Sequence, residues 1–225
     1  MKIGAIIIHS SKYTQRRQYV DGLLNFFKDT EVEVNIIEGV FTDDIYYDAR
    51  DNLHHNTIPK GSIGNSLAQF NALKLAIDKG YDYLYIFEDD VSVAVPSYSD
   101  LKRWINNIKV EYDLLLITNV GGFTGKGHDG RIHTKEIVGG DLYKCTCQFG
   151  TMAYYVNKDI AKLLYDTQKS AIDNQRIYIA DGLHIHCEKA PGVFLNTITP
   201  INHNRFFIHE GQESISTQIN SQSTK

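Results

Sequence analysis

Three carboxylates stand in a row at Glu88-Asp89-Asp90, directly after the apolar run Tyr83-Leu84-Tyr85-Ile86-Phe87. Like charges this close repel, and burying one of them unpaired costs several kcal/mol, roughly. A divalent cation removes the conflict. Mg²⁺ and Mn²⁺ take hard oxygen ligands and typically use one or two carboxylates together with substrate phosphates. A solvated acidic turn is the competing reading. The apolar run before the triplet and Val91-Ser92-Val93 after it favour a motif at a strand end, where open α/β sheets place their ligand crevice.

The elements around the triplet alternate between strand and helix. Ile3 to Ile8 is almost wholly apolar, as expected of a strand covered on both faces. Val20, Leu23, Leu24 and Phe27 then fall on one helical face. Val32, Val34 and Ile36 alternate with polar residues as a second strand. After a long polar stretch over 42–65, Asn65 or Ser66 can cap a helix whose buried stripe is Leu67, Phe70, Leu73 and Ile77, with Gly80 as its stop. A helix over 100–109 and a strand at Leu114–Thr118 make a further unit. The glycine-rich stretch 121–140 reads as a flexible excursion, a lid or an acceptor-facing loop. A strand at Thr151–Val156, a helix over 158–166 and a late strand over 193–199 complete the pattern. The expectation is a single α/β domain, residues 1–211, with a mainly parallel central sheet flanked by helices. The Ser-, Gln- and Thr-rich tail, 212–225, is expected to be disordered.

Several of these segments resemble glycosyltransferase family 25, which includes lipopolysaccharide glycosyltransferases and collagen galactosyltransferases. The resemblance rests on Gly61-Ser62-Ile63-Gly64, on the helix ending Ala76-Ile77-Asp78-Lys79-Gly80, and on Tyr81-Asp82 leading into the Glu88-Asp89-Asp90 strand. Arg16-Arg17, Gly150-Thr151-Met152-Ala153-Tyr154 and Ala161-Lys162-Leu163-Leu164 extend it over about residues 3 to 200. Asn65, Ala68 and Gln69 depart from the family's usual Cys and Ser-His. The resemblance implies a GT-A-type, Rossmann-like fold, a nucleotide-sugar donor, and Mn²⁺ (or Mg²⁺) held by the acidic motif.

Such an enzyme breaks the bond between a sugar and a nucleoside diphosphate, and a metal bridging the diphosphate oxygens stabilises the developing charge. Asp90 is the expected direct ligand. Asp89 is expected to assist the metal or touch the donor sugar, and Glu88 to face the ribose or the strand end. Arg16 and Arg17 are candidates for the phosphates, because a guanidinium fork matches phosphate oxygens, and Arg17 is favoured. Ile8, His9 and Ser10 are expected to line the base pocket, with Gly64 on the donor side. Among the late histidines, His203 is the candidate to complete the metal shell, with His184 behind it. By its place in the resemblance, Asp181 is the expected general base for an inverting transfer from a UDP-hexose to a glycan or glycoprotein. A retaining mechanism would demote it to acceptor binding.

Composition narrows the alternatives. With 23 Lys and Arg against 27 Asp and Glu, no bulk positive charge exists to hold nucleic acid. No apolar run reaches the ~20 residues of a membrane span. Three cysteines suggest reduced thiols and a cytoplasmic enzyme, one that visits a membrane surface only peripherally. A zinc site from Cys145, Cys147, His184, His186 and Cys187 is disfavoured by its tight Cys-x-Cys spacing. The alternative in a different class is a catalytically silent nucleotide- or carbohydrate-binding relative of the same fold, which need not keep the metal carboxylates.

Overall fold

The computed structural model describes residues 1–40, 60–118, 125–126, 132–145, 152–173, 195–202 and 205–210. In chain order these form β1 (Ile3–His9), a 3-10 turn (Thr14–Arg16), α1 (Arg17–Phe27), β2 (Val32–Glu38), α2 (Lys60–Lys79), β3 (Tyr83–Glu88), β4 (Val91–Val93) and α3 (Tyr98–Asn106). There follow β5 (Leu114–Thr118), β6 (Gly125–Lys126), β7 (Ile132–His133), β8 (Lys135–Gly139), β9 (Leu142–Cys145), β10 (Ala153–Asn157), α4 (Lys158–Asp173), β11 (Thr197–Pro200) and β12 (Phe207–His209).

The main sheet runs β2-β1-β3-β10-β5-β11-β9-β8. β1 pairs in parallel with both β2 and β3, and β5 with β11. β10 is antiparallel to β3 and β5, and β9 is antiparallel to β11 and β8. Most strands therefore point the same way, with β10 and β9 reversed. Two short ribbons, β4 with β12 and β6 with β7, lie apart from the sheet.

Alternation along each strand splits the core into two layers. Ile3, Ala5 and Ile7 of β1, Tyr85 and Phe87 of β3 and Leu115 and Ile117 of β5 pack against Val20, Leu23 and Phe27 of α1 and Leu101 and Ile105 of α3. The intervening residues Ile6, Ile8, Leu84, Ile86, Leu114 and Leu116 pack against α2 and α4. The result is a sheet between two helical layers. On the α2 side, β1 passes directly under Tyr81: a Cβ at Gly4 would lie 2.2 Å from its ring, so only glycine fits there.

Three expectations are corrected. The helix expected to start at Asn65 or Ser66 starts at Lys60, because Gly61 and Gly64 disfavour but do not forbid helical backbone. Of its expected stripe only Leu73 is buried. The helix seats itself through Ala68, Gln69, Ala72, Leu73 and Ala76, leaving Ile77 exposed and Phe70 stacked on Tyr165 of α4, ring centroids 4.8 Å apart. Alanines let α2 approach the sheet closely, which a leucine stripe would prevent. Part of the 121–140 excursion is ordered as β8, which joins β9 at the sheet edge. Gly80 does end α2, with φ +68° and the Tyr81 N–H donating to the Ala76 carbonyl.

Candidate active site

β3 carries Glu88 at its carboxyl end, between the ends of β1 and β10; the Glu88 N–H donates to the Met152 carbonyl across from it. The chain then turns through Asp89 and Asp90 into β4. Both aspartates are buried, at 4% and 6% exposure, and they meet opposite surroundings.

Asp89 is fully engaged. Its Oδ2 accepts from His9 Nδ1 and from the Ser10 N–H, each at 2.9 Å, and its Oδ1 accepts from Arg16 Nη1 at 2.7 Å. The sequence expectation that Asp89 assists a metal therefore meets a carboxylate whose oxygens already hold three donors. Its role in the fold is to tie the end of β1 and the start of α1 to the acidic motif.

Asp90 is engaged through one oxygen only. Its Oδ2 lies 3.3 Å from Arg16 Nη1 and 3.5 Å from His209 Nε2. Its Oδ1 is buried with no hydrogen-bond partner among the described residues. A buried carboxylate oxygen without a protein partner is a place for a water molecule or an ion. Burial opposes ionisation of Asp90, but the His209 imidazole and the Arg16 guanidinium outweigh it and hold the carboxyl below its usual range. Burial likewise opposes a charged His209, and Asp90 reverses the balance, raising the imidazole above its usual range. Arg16, also penalised by burial, is raised by Asp90 and Asp89.

His209 reaches this place because β12 pairs antiparallel with β4, setting His209 opposite Val91 and Phe207 opposite Val93. The Glu210 N–H donates to the Asp90 carbonyl at 2.9 Å, and Ser92 Oγ donates to Glu210 Oε1 at 2.6 Å. Phe207 anchors the ribbon in the core against Phe87 and Phe26, at 5.0 and 5.6 Å between centroids.

On the opposite face of β3, Glu88 accepts from the Asn65 side-chain amide at 3.3 Å, and Gly64 is buried beside Asn65 in α2. Deeper along α2, the buried Gln69 accepts from Tyr154 at 2.8 Å. Ile8 packs into the α2-side core. His9 and Ser10 thus meet the acidic motif through Asp89, and Glu88 meets α2 through Asn65.

Arg17, favoured by the sequence, pairs with Asp21 at 2.9 Å on the exposed side of α1, away from the triplet. Arg16 takes the site instead. The signal was present: Arg16 precedes Val20 by four residues and so shares the face of the buried stripe, whereas Arg17 and Asp21 make an i,i+4 surface pair. His209 was missed although Phe207 and His209 alternate within an apolar run, because three residues make too short a strand to stand out. His203, His184 and Asp181 lie outside the described residues.

The donor set suits Mg²⁺ or Mn²⁺ better than a closed protein cage. No group of three His, Cys, Asp or Glu side chains poised for a metal occurs among the described residues. Asp90 and His209 together offer one carboxylate and one imidazole, and such ions complete their shells from water and phosphate oxygens.

No family model and no curated protein sequence matches the chain. Solved structures do. A glycosyltransferase involved in glycosylating the major capsid of PBCV-1 matches over 100% of both chains, with 11% identity and a TM-score of 0.50. The galactosyltransferase LgtC, in complex with donor and acceptor sugar analogs, matches 87% of this chain and 72% of its own at 11% identity and TM-score 0.45. A Drosophila β-1,4-galactosyltransferase 7 mutant with manganese, UDP-Gal and xylobiose matches 92% and 69% at 15% identity and TM-score 0.41. The chain has the α/β architecture of GT-A-type glycosyltransferases, with a mostly parallel central sheet flanked by helices. Among the described residues no helix is long and apolar enough to cross a membrane.

Proposed function

We propose that this chain is a metal-dependent glycosyltransferase moving a hexose from a UDP-linked donor to a glycan or glycoprotein acceptor. The observation that carries the reading is the bare, buried Asp90 Oδ1 beside His209 at the carboxyl end of β3, in a GT-A-type fold. The family 25 resemblance of the acidic motif and its flanking helix supports the same reading.

Asp90 and His209 are the residues that would hold Mn²⁺ or Mg²⁺, with His203 as a further imidazole. Bound there, the ion supplies charge stabilisation to the leaving diphosphate. Asp89 holds His9, Ser10 and Arg16 in register at the mouth of the site. Arg16 uses Nη1 on the carboxylates and can turn its other N–H groups to the diphosphate. His9 and Ser10 at the end of β1, with Glu88, are the proposed contacts of the nucleoside, and Ile8 supports them from the core. Asp181 is the proposed general base that takes the acceptor hydroxyl proton in an inverting transfer.

The test is thermal stabilisation by UDP, GDP or CMP, each with Mn²⁺ or with EDTA, followed by donor consumption. Ligand at ~100 Kd stabilises the fold by about 2.7 kcal/mol. The expected result is a Mn²⁺-dependent shift with UDP, abolished in Asp90→Ala, and turnover of a UDP-hexose. A shift without turnover, with acceptor glycans present, would replace the enzyme with a silent binding relative. Absence of any shift in folded protein would reduce the triplet to an acidic turn.

A further inference from the structure

Asp90 already has a cationic neighbour before any metal ion arrives: it and Asp89 share one guanidinium, which is permanently charged. Arg16 Nη1 sits between the two carboxylates, 2.7 Å from one and 3.3 Å from the other. A divalent ion on Asp90 therefore enters beside a fixed positive charge that repels it. A diphosphate offsets that repulsion by giving both cations a shared anion. Arg16 is also built to respond: its side chain is 26% exposed, and the Tyr13 ring packs 5.1 Å from its Cζ on the outer side.

We propose that Arg16 makes cation and diphosphate binding mutually dependent: without nucleotide it disfavours a divalent ion at Asp90, and a diphosphate relieves that penalty by drawing on the guanidinium. This rests on the metal-dependent transferase reading. Arg16 is a positioning residue whose charge sets the order of assembly, so that the ion is held tightly only where a donor is held too.

The experiment measures Mn²⁺ binding to the whole chain, from the spectrum of free Mn²⁺ in electron paramagnetic resonance, with and without UDP. In the wild-type chain, saturating UDP is expected to tighten Mn²⁺ by about 5- to 150-fold, the ordinary range of coupling between sites, and Mn²⁺ to tighten UDP by the same factor. Arg16→Gln removes the charge. It should bind Mn²⁺ more tightly than wild type when UDP is absent, and the coupling should shrink to a few-fold. Arg16→Lys keeps the charge and should bind Mn²⁺ alone as weakly as wild type. Wild-type chain binding Mn²⁺ equally well with and without UDP overturns the proposal without any variant, whether or not Arg16→Gln folds. So does an Arg16→Gln chain, folded by circular dichroism, with unchanged Mn²⁺ affinity and intact coupling. In both cases the transferase reading stands so long as Mn²⁺ binding is lost in Asp90→Asn. Absence of Mn²⁺ binding under every condition removes the proposal and that reading together.

Discussion

At the residue scale, adjacent aspartates of the same type have been given different work by their neighbours. Asp89 is an anchor. Removing it strands a buried His9 Nδ1, the Ser10 N–H and the Arg16 guanidinium. Breaking such a buried pair typically costs about 3–5 kcal/mol. Asp89→Ala should therefore lower the urea midpoint by that equivalent. Asp90→Asn keeps the side chain's shape and its longer contacts to Arg16 and His209, so it should cost less than Asp89→Ala, and it should lose the Mn²⁺-dependent response to UDP. Equal destabilisation by the two substitutions would contradict this division. Arg17→Ala tests the neighbouring pair of arginines: an exposed i,i+4 partner of Asp21 is worth about 0.3–0.5 kcal/mol, and nucleotide binding should not change.

At the element scale, the site depends on a ribbon distant in sequence from the triplet. Phe207 is fully buried, and its truncation to alanine should cost about 3–5 kcal/mol. More tellingly, Phe207→Ala should weaken the Mn²⁺-dependent thermal shift by releasing β12, whereas Ile208→Ala, at a position 36% exposed, should leave that shift intact. Matching losses from both would mean that the β4–β12 pairing does not position His209. The same element shows where sequence reading stops. β1 and β3 are legible because both of their faces are covered, which forces an unbroken apolar run. β8 has one of its edges open and an exposure pattern to match, with Ile137 72% exposed, so no apolar period marks it. β12 is too short for a period at all. α2 is legible as a helix but not in its facing, since alanines carry little hydrophobic weight and Leu67, Phe70 and Ile77 suggest a stripe turned by one position. Arg16 and His209 follow from these element-level facts, and without them the triplet was readable but not its surroundings.

At the scale of the whole molecule, much of the described core is aromatic. Of the 14 tyrosines, burial first, with nearby groups adding to it, pushes Tyr81, Tyr98 and Tyr112 up to about 12, and raises Tyr85, Tyr154 and Tyr155 well above the usual range. The fold favours the neutral phenol, while the unfolded chain ionises near 10. The stability these groups contribute is thus complete below pH ~10 and is lost as pH rises toward 12, at about 1.4 kcal/mol per pH unit for each phenol kept neutral. Tyrosinate absorbance at 295 nm should rise in a second phase that coincides with loss of helical circular dichroism in that window. Smooth ionisation of every tyrosine near pH 10 with the dichroism intact would rule the buried set out as a stabilising group. The ribbon that closes the site also has a meaning in time. Ser92 and Glu210, which hold it shut, are 118 residues apart in the chain. At about 5–20 residues per second on the ribosome, the acidic motif emerges on the order of ten seconds before its partner strand. A growing chain can lay down β1, β2 and β3 in that interval while Asp90 still lacks His209; on the proposed reading, half-made protein would neither sequester metal nor tie up donor.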